Sequence, residues 1–133
     1  MDLINIKQGG KNEVIIRARG HELTGDRSSA EGGDDLGLSP SELLAASVGS
    51  CIAMVVIQYC DRHDYSNGPV EVNLTYEMSA NPNRISAITV DIEIPGDVPE
   101  SKRGILQKLV KQCPIHQTLI NPPEIDIDII SSP

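Results

Sequence analysis

The longest apolar run in the chain is LLAASVGSCIAMVVI at residues 43–57, in which only Ser47 and Ser50 are polar. A strand is rarely that long, and about twenty apolar residues are needed to cross a bilayer. The pattern therefore predicts a helix that is buried on nearly every side. Cys51 lies in the middle of this helix.

The residues before this run are typical of a helix N-terminus. Ser39 is a favourable N-cap, and Pro40 suits the first helical position because its missing N–H would have no partner there. Glu42 stands three residues after the cap. Serine followed by glutamate at this spacing predicts a capping box, in which each side chain binds the backbone N–H of the other residue.

The size and charge of the chain limit the kinds of fold and partner that it can have. At 133 residues it is predicted to be a single domain, residues 1–133, with an aliphatic core because Trp and Phe are absent. The net charge of −8 argues against a nucleic acid or an anionic membrane as partner. The first ten residues, MDLINIKQGG, lack the charged and then apolar pattern of a leader, so we expect a cytoplasmic protein without a membrane segment.

Short segments in which apolar and polar residues alternate flank the central helix. Strands are predicted at residues 3–6 and 14–19, and residues 20–38 are predicted to be an irregular connection. Residues 70–78 and 85–94 predict a hairpin that turns at Asn81-Pro82-Asn83. An amphipathic helix is predicted at residues 99–113, followed by a turn of helix at 115–120 and a closing strand at 124–130, where Ile alternates with Asp. The inward stripe of the amphipathic helix is predicted to contain Ile105, Leu106, Leu109, Val110 and Cys113.

The predicted order, ββ-α-ββ-α-β, is typical of an α+β fold in which an antiparallel sheet packs on a buried central helix. One sheet covers only one side of a helix. We therefore expect the second helix and a second subunit to cover the rest, which makes the protein a homodimer.

Three cysteines in a chain without an export signal argue against a structural disulfide framework. Cys51 and Cys113 both lie on inward helix faces, so both can be small apolar core residues, as free cysteines often are. Alternatively they form a redox pair, which requires their Cα atoms to approach within roughly 4.4–6.8 Å. Cys60 is predicted to be a core residue.

A zinc site is a third possibility for the cysteines. Cys60 and His63 are three residues apart, as are Cys113 and His116, and two such pairs would supply the four ligands of a tetrahedral site. Pro114 interrupts the second pair, and His63 lies in a polar helix end. We therefore expect no metal site.

Two motifs resemble the osmotically inducible protein C and organic hydroperoxide resistance (OsmC/Ohr) family. The first is SPSELLAASVGSC at residues 39–51, and the second is Cys113-Pro114 with Leu119. The order of the predicted elements is also similar to that family, and the resemblance covers nearly the whole chain.

This resemblance implies an intertwined homodimer, with two long central helices packed together and the sheets outside them. It also implies a thiol peroxidase of oxidative stress defence, in which Cys51 attacks an organic hydroperoxide, becomes a sulfenic acid and condenses with Cys113 to a disulfide. No bound cofactor is expected, because an external dithiol, of lipoyl type in relatives, restores the two thiols.

The family also supplies an arginine from the N-terminal half, held by a glutamate directly after the helix-starting proline, to activate the reactive thiol. Ser41 stands at that glutamate position here, and Glu42 is one residue further along. Glu42 is a candidate for the supporting role in addition to its capping role. Arg27, in the loop before the helix, is the candidate arginine, ahead of Arg17 and Arg19.

Two other functions stay open at this point. A non-catalytic module of the same fold would bind a hydrophobic small molecule in the dimer cleft, and that binding would survive the substitution Cys51→Ser. A purely structural dimer would keep both thiols inert toward alkylating reagents.

Overall fold

The structure is a computed structural model, and it describes residues 3–133. The chain is α+β, as predicted, with antiparallel strands and three α-helices among the described residues. The strands are β1 (Asn5–Gln8), β2 (Val14–Ala18), β3 (His21–Gly25), β4 (Glu71–Ser79) and β5 (Arg84–Glu93). The helices are α1 (Pro40–His63), α2 (Glu100–Lys111) and α3 (Pro114–Ile120), and a short 3₁₀ turn lies at Ser29–Glu31.

The first sheet contains three antiparallel strands in the order β1-β2-β3. The prediction of an irregular connection over residues 20–38 is wrong for its first part, because β3 occupies His21–Gly25. Arg19 and Gly20 both have positive φ angles, 51° and 78°, and such a pair closes a tight hairpin turn between β2 and β3. The register sets Arg17 opposite Glu22, and their side chains form an exposed ion pair with Nε 2.8 Å from Oε2.

The second sheet is the hairpin of β4 and β5, and its strands match the two predicted alternating segments. Exposure alternates along β4, where Val72, Leu74 and Tyr76 are half-buried between exposed neighbours. Asn81 and Pro82 lie in the turn between the strands, as predicted.

Helix α1 begins as its capping box predicts. The carboxylate of Glu42 accepts a hydrogen bond from the backbone N–H of Ser39 at 2.9 Å, and the hydroxyl of Ser39 accepts one from the backbone N–H of Glu42 at 3.2 Å. The Ser39 carbonyl accepts the first intrahelical bond, from the N–H of Leu43 at 2.9 Å. The start of the helix is therefore fixed by contacts within four residues of sequence.

Glu42→Gln is expected to remove a pH-dependent part of the stability. The hydrogen bond from the Ser39 backbone, and then that from its side chain, hold the pKa of Glu42 below its usual value. A carboxyl group whose pKa is lower in the folded chain stabilises the fold above its unfolded pKa, and this contribution is lost as the pH falls through the folded value.

We therefore expect the unfolding free energies of the wild type and Glu42→Gln to differ at pH 7 and to converge below about pH 4.5. Urea unfolding followed by circular dichroism at several pH values measures this difference. Glu77→Gln, which removes an exposed carboxylate on β4, is the matched control. A difference for Glu42→Gln that is constant from pH 7 to pH 3 would contradict the assignment.

One face of α1 is buried and the opposite face is exposed. The prediction that this helix is buried on nearly every side is therefore wrong for the single chain, because Met54 is 69% exposed, Ile57 50% and Leu44 38%. The buried face consists of Ala45, Val48, Gly49, Ile52, Val56 and Cys60.

The length of α1 also corrects an argument from sequence. The helix has 24 residues, and the mean hydropathy of its most apolar part is 1.9, which would suffice to cross a bilayer. The expectation that this segment is too short to span is therefore wrong. The core helix of a water-soluble domain meets the same criterion, so length and composition do not by themselves place α1 in a membrane.

Helix α2 buries part of its predicted stripe. Leu106 is buried and Leu109 and Val110 are half-buried, but Ile105 is 44% exposed, contrary to prediction.

Residues 121–133 have no regular secondary structure, so the predicted closing strand at 124–130 is not formed. Its isoleucines are 78–89% exposed: Ile125, Ile127, Ile129 and Ile130.

The chain divides into two compact units. The first comprises the chain up to Ser47 together with Leu74–Thr89, and it contains the three-stranded sheet. The second comprises Val48–Asn73 and Val90–Pro133, and it contains most of α1 with α2 and α3.

Candidate redox site

The second unit holds both cysteines that the sequence singled out. Cys51 lies in the middle of α1 and is half-buried. Cys113 is 1% exposed and lies at the junction between α2 and α3, where it is the N-cap residue of α3 and Pro114 takes the first helical position. The backbone of Cys113 is held on both sides, because its N–H donates to the Val110 carbonyl at 3.4 Å and its carbonyl accepts from the Gln117 N–H at 3.0 Å.

Cys51 and Cys113 are joined by a disulfide bond. Their Cα atoms are 6.1 Å apart, within the range that disulfides occupy, although 62 residues separate them in sequence. The bond meets the distance requirement for a pair of reactive cysteines, and the redox role of the pair stays a prediction.

The two cysteines differ in their access to solvent. Cys51 is half-buried, whereas Cys113 is enclosed by the helix junction. A reagent that arrives from solution can approach the Cys51 side of the pair more readily. Thiol–disulfide exchange depends on which sulfur the attacking thiolate can reach.

The predicted supporting residues, Arg27 and Glu42, lie in the first unit, whereas the disulfide lies in the second. Their roles in activating the thiol stay predictions. The carboxylate of Glu42 is engaged in the capping box, and Arg27 is exposed in the loop before α1. Ser41, at the position where the resemblance leads one to expect glutamate, has its hydroxyl 4.0 Å from the sulfur of Met78.

The loop that carries Arg27 is organised by a buried carboxylate that the sequence analysis missed. Asp26 is 3% exposed and accepts hydrogen bonds from three backbone N–H groups, those of Arg27 at 2.7 Å, Leu36 at 3.2 Å and Asp34 at 3.3 Å. The Asp35 N–H also donates to the Arg27 carbonyl at 3.1 Å. The backbone at Arg27 is therefore fixed although its side chain is exposed.

Cys60 lies in the core of the second unit, as predicted. It is a free cysteine, 1% exposed, and burial raises the pKa of its thiol. A thiol that stays protonated at neutral pH is a poor nucleophile. Cys60 is thus a core residue, and burial disfavours the thiolate form on which its reactivity depends.

Two of the four residues considered for a zinc site, Cys113 and His63, have other partners. Cys113 is bonded to Cys51, and the His63 ring stacks on Tyr65 with centroids 5.2 Å apart. Tyr59 lies against both of these rings, which makes an aromatic cluster that the sequence analysis did not foresee. Within residues 3–133, no group of three or more His, Cys, Asp or Glu side chains is arranged to hold a metal ion.

Comparison with known proteins gives one family and several solved structures of similar fold. The profile of the family described as OsmC-like protein matches residues 32–128. No curated protein matches the chain significantly.

Solved structures match over most of their length. A protein from Psychrobacter arcticus 273-4, provisionally described as an osmotic stress induced and detoxification response protein, has a TM-score of 0.81 at 19% identity, over 89% of this chain and 88% of that one. An OsmC-like protein from Mycoplasma pneumoniae has a TM-score of 0.77 at 18% identity, over 92% and 89%. A protein from Legionella pneumophila named organic hydroperoxide resistance protein OsmC has a TM-score of 0.68 at 17% identity, over 90% and 88%. At these identities the likeness establishes the fold alone.

Proposed function

Because the chain belongs to the OsmC-like family, we propose that it is a thiol-dependent peroxidase that reduces organic hydroperoxides through Cys51 and Cys113. The observation that carries this proposal is the disulfide between a half-buried and a buried cysteine. The same disulfide is the product expected after one hydroperoxide molecule has been reduced and before the dithiol acts. The name of the Legionella relative supports the substrate class.

The proposed cycle has three steps, and each balances. The Cys51 thiolate attacks one oxygen of the hydroperoxide, the O–O bond breaks, and the alkoxide takes a proton and leaves as the alcohol. The sulfur of Cys51, now a sulfenic acid, is attacked by the thiolate of Cys113, and hydroxide leaves and is protonated to water. An external dithiol, of lipoyl type in this proposal, then reduces the disulfide by two exchange steps and becomes oxidised itself.

Solvent access gives the order of the two cysteines in this cycle. Cys51 is the peroxidatic residue, because it is the half-buried member of the pair and can meet a substrate. Cys113 is the resolving residue, because it is enclosed and its backbone is fixed next to Cys51. This arrangement lets the sulfenic acid be captured before it is oxidised further.

Activation of Cys51 requires a group that favours the thiolate, since a thiol in an aliphatic environment otherwise keeps its proton. Within the proposal, Arg27 remains the candidate cation, and Glu42 the candidate acid that holds it. The fixed backbone at Arg27 supports this choice, because a cation on an ordered loop is placed at a lower entropic cost.

The test is consumption of a dithiol by the wild-type protein in the presence of a hydroperoxide. Reduced lipoamide is supplied with an alkyl hydroperoxide or a fatty-acid hydroperoxide, and the loss of free thiol is followed in time. Saturable consumption that depends on both protein and hydroperoxide is expected. The cycle would be overturned if hydroperoxide oxidised the protein but no dithiol reduced it again.

We also propose that the protein is a homodimer, and the exposed face of α1 supports this. Leu44, Met54 and Ile57 are 38–69% exposed on one side of a helix whose other side is buried. A row of large apolar side chains along one helix face is typical of a helix–helix interface. Cys51, one turn from Met54, lies at the edge of that face, so a partner subunit there would form part of the wall around the sulfur.

Met54→Glu is expected to convert the dimer to a monomer, because a charge at the centre of an apolar interface loses its hydration without gaining a partner. Size-exclusion chromatography with light scattering at several protein concentrations measures the mass. Gln112→Glu makes the same change of charge at an exposed position after α2 and is expected to leave the mass unchanged. A wild type that is monomeric at high concentration would contradict the proposal.

A further inference from the structure

A groove in the second unit lies outside the proposed redox chemistry. It has a volume of about 680 Å³ and runs between α2 and the end of β5 with the loop that follows. This volume is within the range of sites that bind small molecules. All of its lining residues belong to the second compact unit.

The groove has an apolar floor. Ile52 and Leu106 are buried at its base, and Ile94, Val98 and Val110 are half-buried around them. The floor can therefore cover a short aliphatic chain and remove it from water, which is favourable for each methylene that is buried.

One wall of the groove is a polar ledge on α2. Arg103, Gln107 and Lys111 all line the groove, and a spacing of four residues places them in one row along the helix. The ledge carries two positive charges, and Asp91 on the opposite wall carries one negative charge. In a chain with a net charge of −8, this site has an excess of positive charge.

The face of α1 that lines the groove is not the face proposed above as the dimer interface. Ile52 and Met54 are two residues apart on α1, so their side chains point about 200° apart around the helix axis. An interface centred on Met54 therefore uses the side of α1 that faces away from the groove.

From these features we propose that the groove binds an amphipathic organic anion, a small molecule with an aliphatic chain and a carboxylate-like head group. The chain lies on the floor formed around Ile52 and Leu106. The head group is held by Arg103 or Lys111, with Gln107 between them as a neutral donor. This binding does not depend on turnover at Cys51.

The test uses octanoate and the oxidised, full-length protein labelled with ¹⁵N. Saturable shifts are expected in the amide signals of residues 90–98 and 103–111. Affinity is expected to rise about threefold for each methylene added from hexanoate to decanoate, because each is buried on the floor. Octanol and octylammonium, which have the same chain with a neutral or a positive head group, are expected to bind more weakly.

The variant is Arg103→Gln/Lys111→Gln, which is expected to weaken octanoate binding about fivefold to tenfold and to reduce its dependence on salt. The matched control is Lys102→Gln/Lys108→Gln, which removes two charges from the same helix without touching the groove, and it is expected to bind as the wild type does. All four side chains are at least partly exposed, so both variants should fold, and their amide spectra check this.

Several results would overturn the proposal. These are no saturable shift up to about 10 mM octanoate, equal affinity for octanol, or equal losses in variant and control. Amide shifts at residues 90–98 that follow protein concentration instead of octanoate would mean that a second copy fills the groove. The dithiol assay reports separately on the peroxidase, because either activity can fail while the other remains.

Discussion

Replacing Cys51 with serine is expected to abolish hydroperoxide-dependent oxidation of a dithiol, with a loss of more than about a thousandfold in turnover. A serine hydroxyl is not ionised at neutral pH and cannot form a sulfenic acid, so the first step of the cycle has no nucleophile. The rate of dithiol loss with reduced lipoamide and an alkyl hydroperoxide measures the effect.

Two further variants separate the roles of the cysteines. Cys113→Ser is expected to retain one rapid oxidation of Cys51 per chain, detected as a sulfenic acid by a dimedone-type reagent, and then to stall. Cys60→Ser is the control, because the third cysteine is buried and outside the disulfide. Turnover in Cys51→Ser close to that of the wild type would remove the peroxidase proposal. Labelling of Cys113 by the dimedone-type reagent in that variant would mean that Cys113, and not Cys51, reacts with the hydroperoxide.

Reduction of the disulfide is expected to lower the free energy of unfolding by about 4 kcal/mol. The bond closes a loop of 62 residues between the middle of α1 and the α2–α3 junction. A crosslink over a loop of that length restricts the unfolded chain and stabilises the folded one by roughly this amount in the chain-entropy treatment. Urea unfolding of the oxidised protein and of the protein in excess dithiol, at one fixed protein concentration, gives the two free energies.

Cys51→Ala/Cys113→Ala provides the control for the reducing agent itself. Its stability is expected to be the same with and without dithiol and to be lower than that of the oxidised wild type. Equal stabilities for oxidised and reduced wild type would mean that the loop is already constrained in the unfolded chain. The peroxidase assay is independent of that outcome.

Features with local causes could be predicted from the sequence. The capping box at Ser39 and Glu42 depends on residues three apart, and the structure contains both of its hydrogen bonds. The hairpin of β4 and β5 follows from alternation over two adjacent segments. The meeting of Cys51 and Cys113 depends on tertiary packing across 62 residues, so the residues alone left two alternatives open.

The errors have physical reasons. Strand β3 was missed because its turn uses a positive φ at Arg19, and a non-glycine residue gives little sign of that conformation. Asp26 was missed because its partners are backbone N–H groups, which any sequence offers. The apolar pattern of α1 predicts that apolar neighbours cover the helix, and the alternation at residues 124–130 predicts a neighbouring strand. Neither pattern says whether those neighbours belong to the same chain.

The segment at residues 124–130, which forms no strand, has a sequence pattern that bears on aggregation. Its isoleucines alternate with Glu124, Asp126 and Asp128, so a strand formed there would have one apolar face and one acidic face. Stacking identical copies in register, as in an amyloid fibril, would place carboxylates directly above one another at each 4.8 Å step, roughly, and their repulsion opposes growth. These acidic residues therefore oppose self-association of the apolar segment, which can still pair with a sheet edge of different charge.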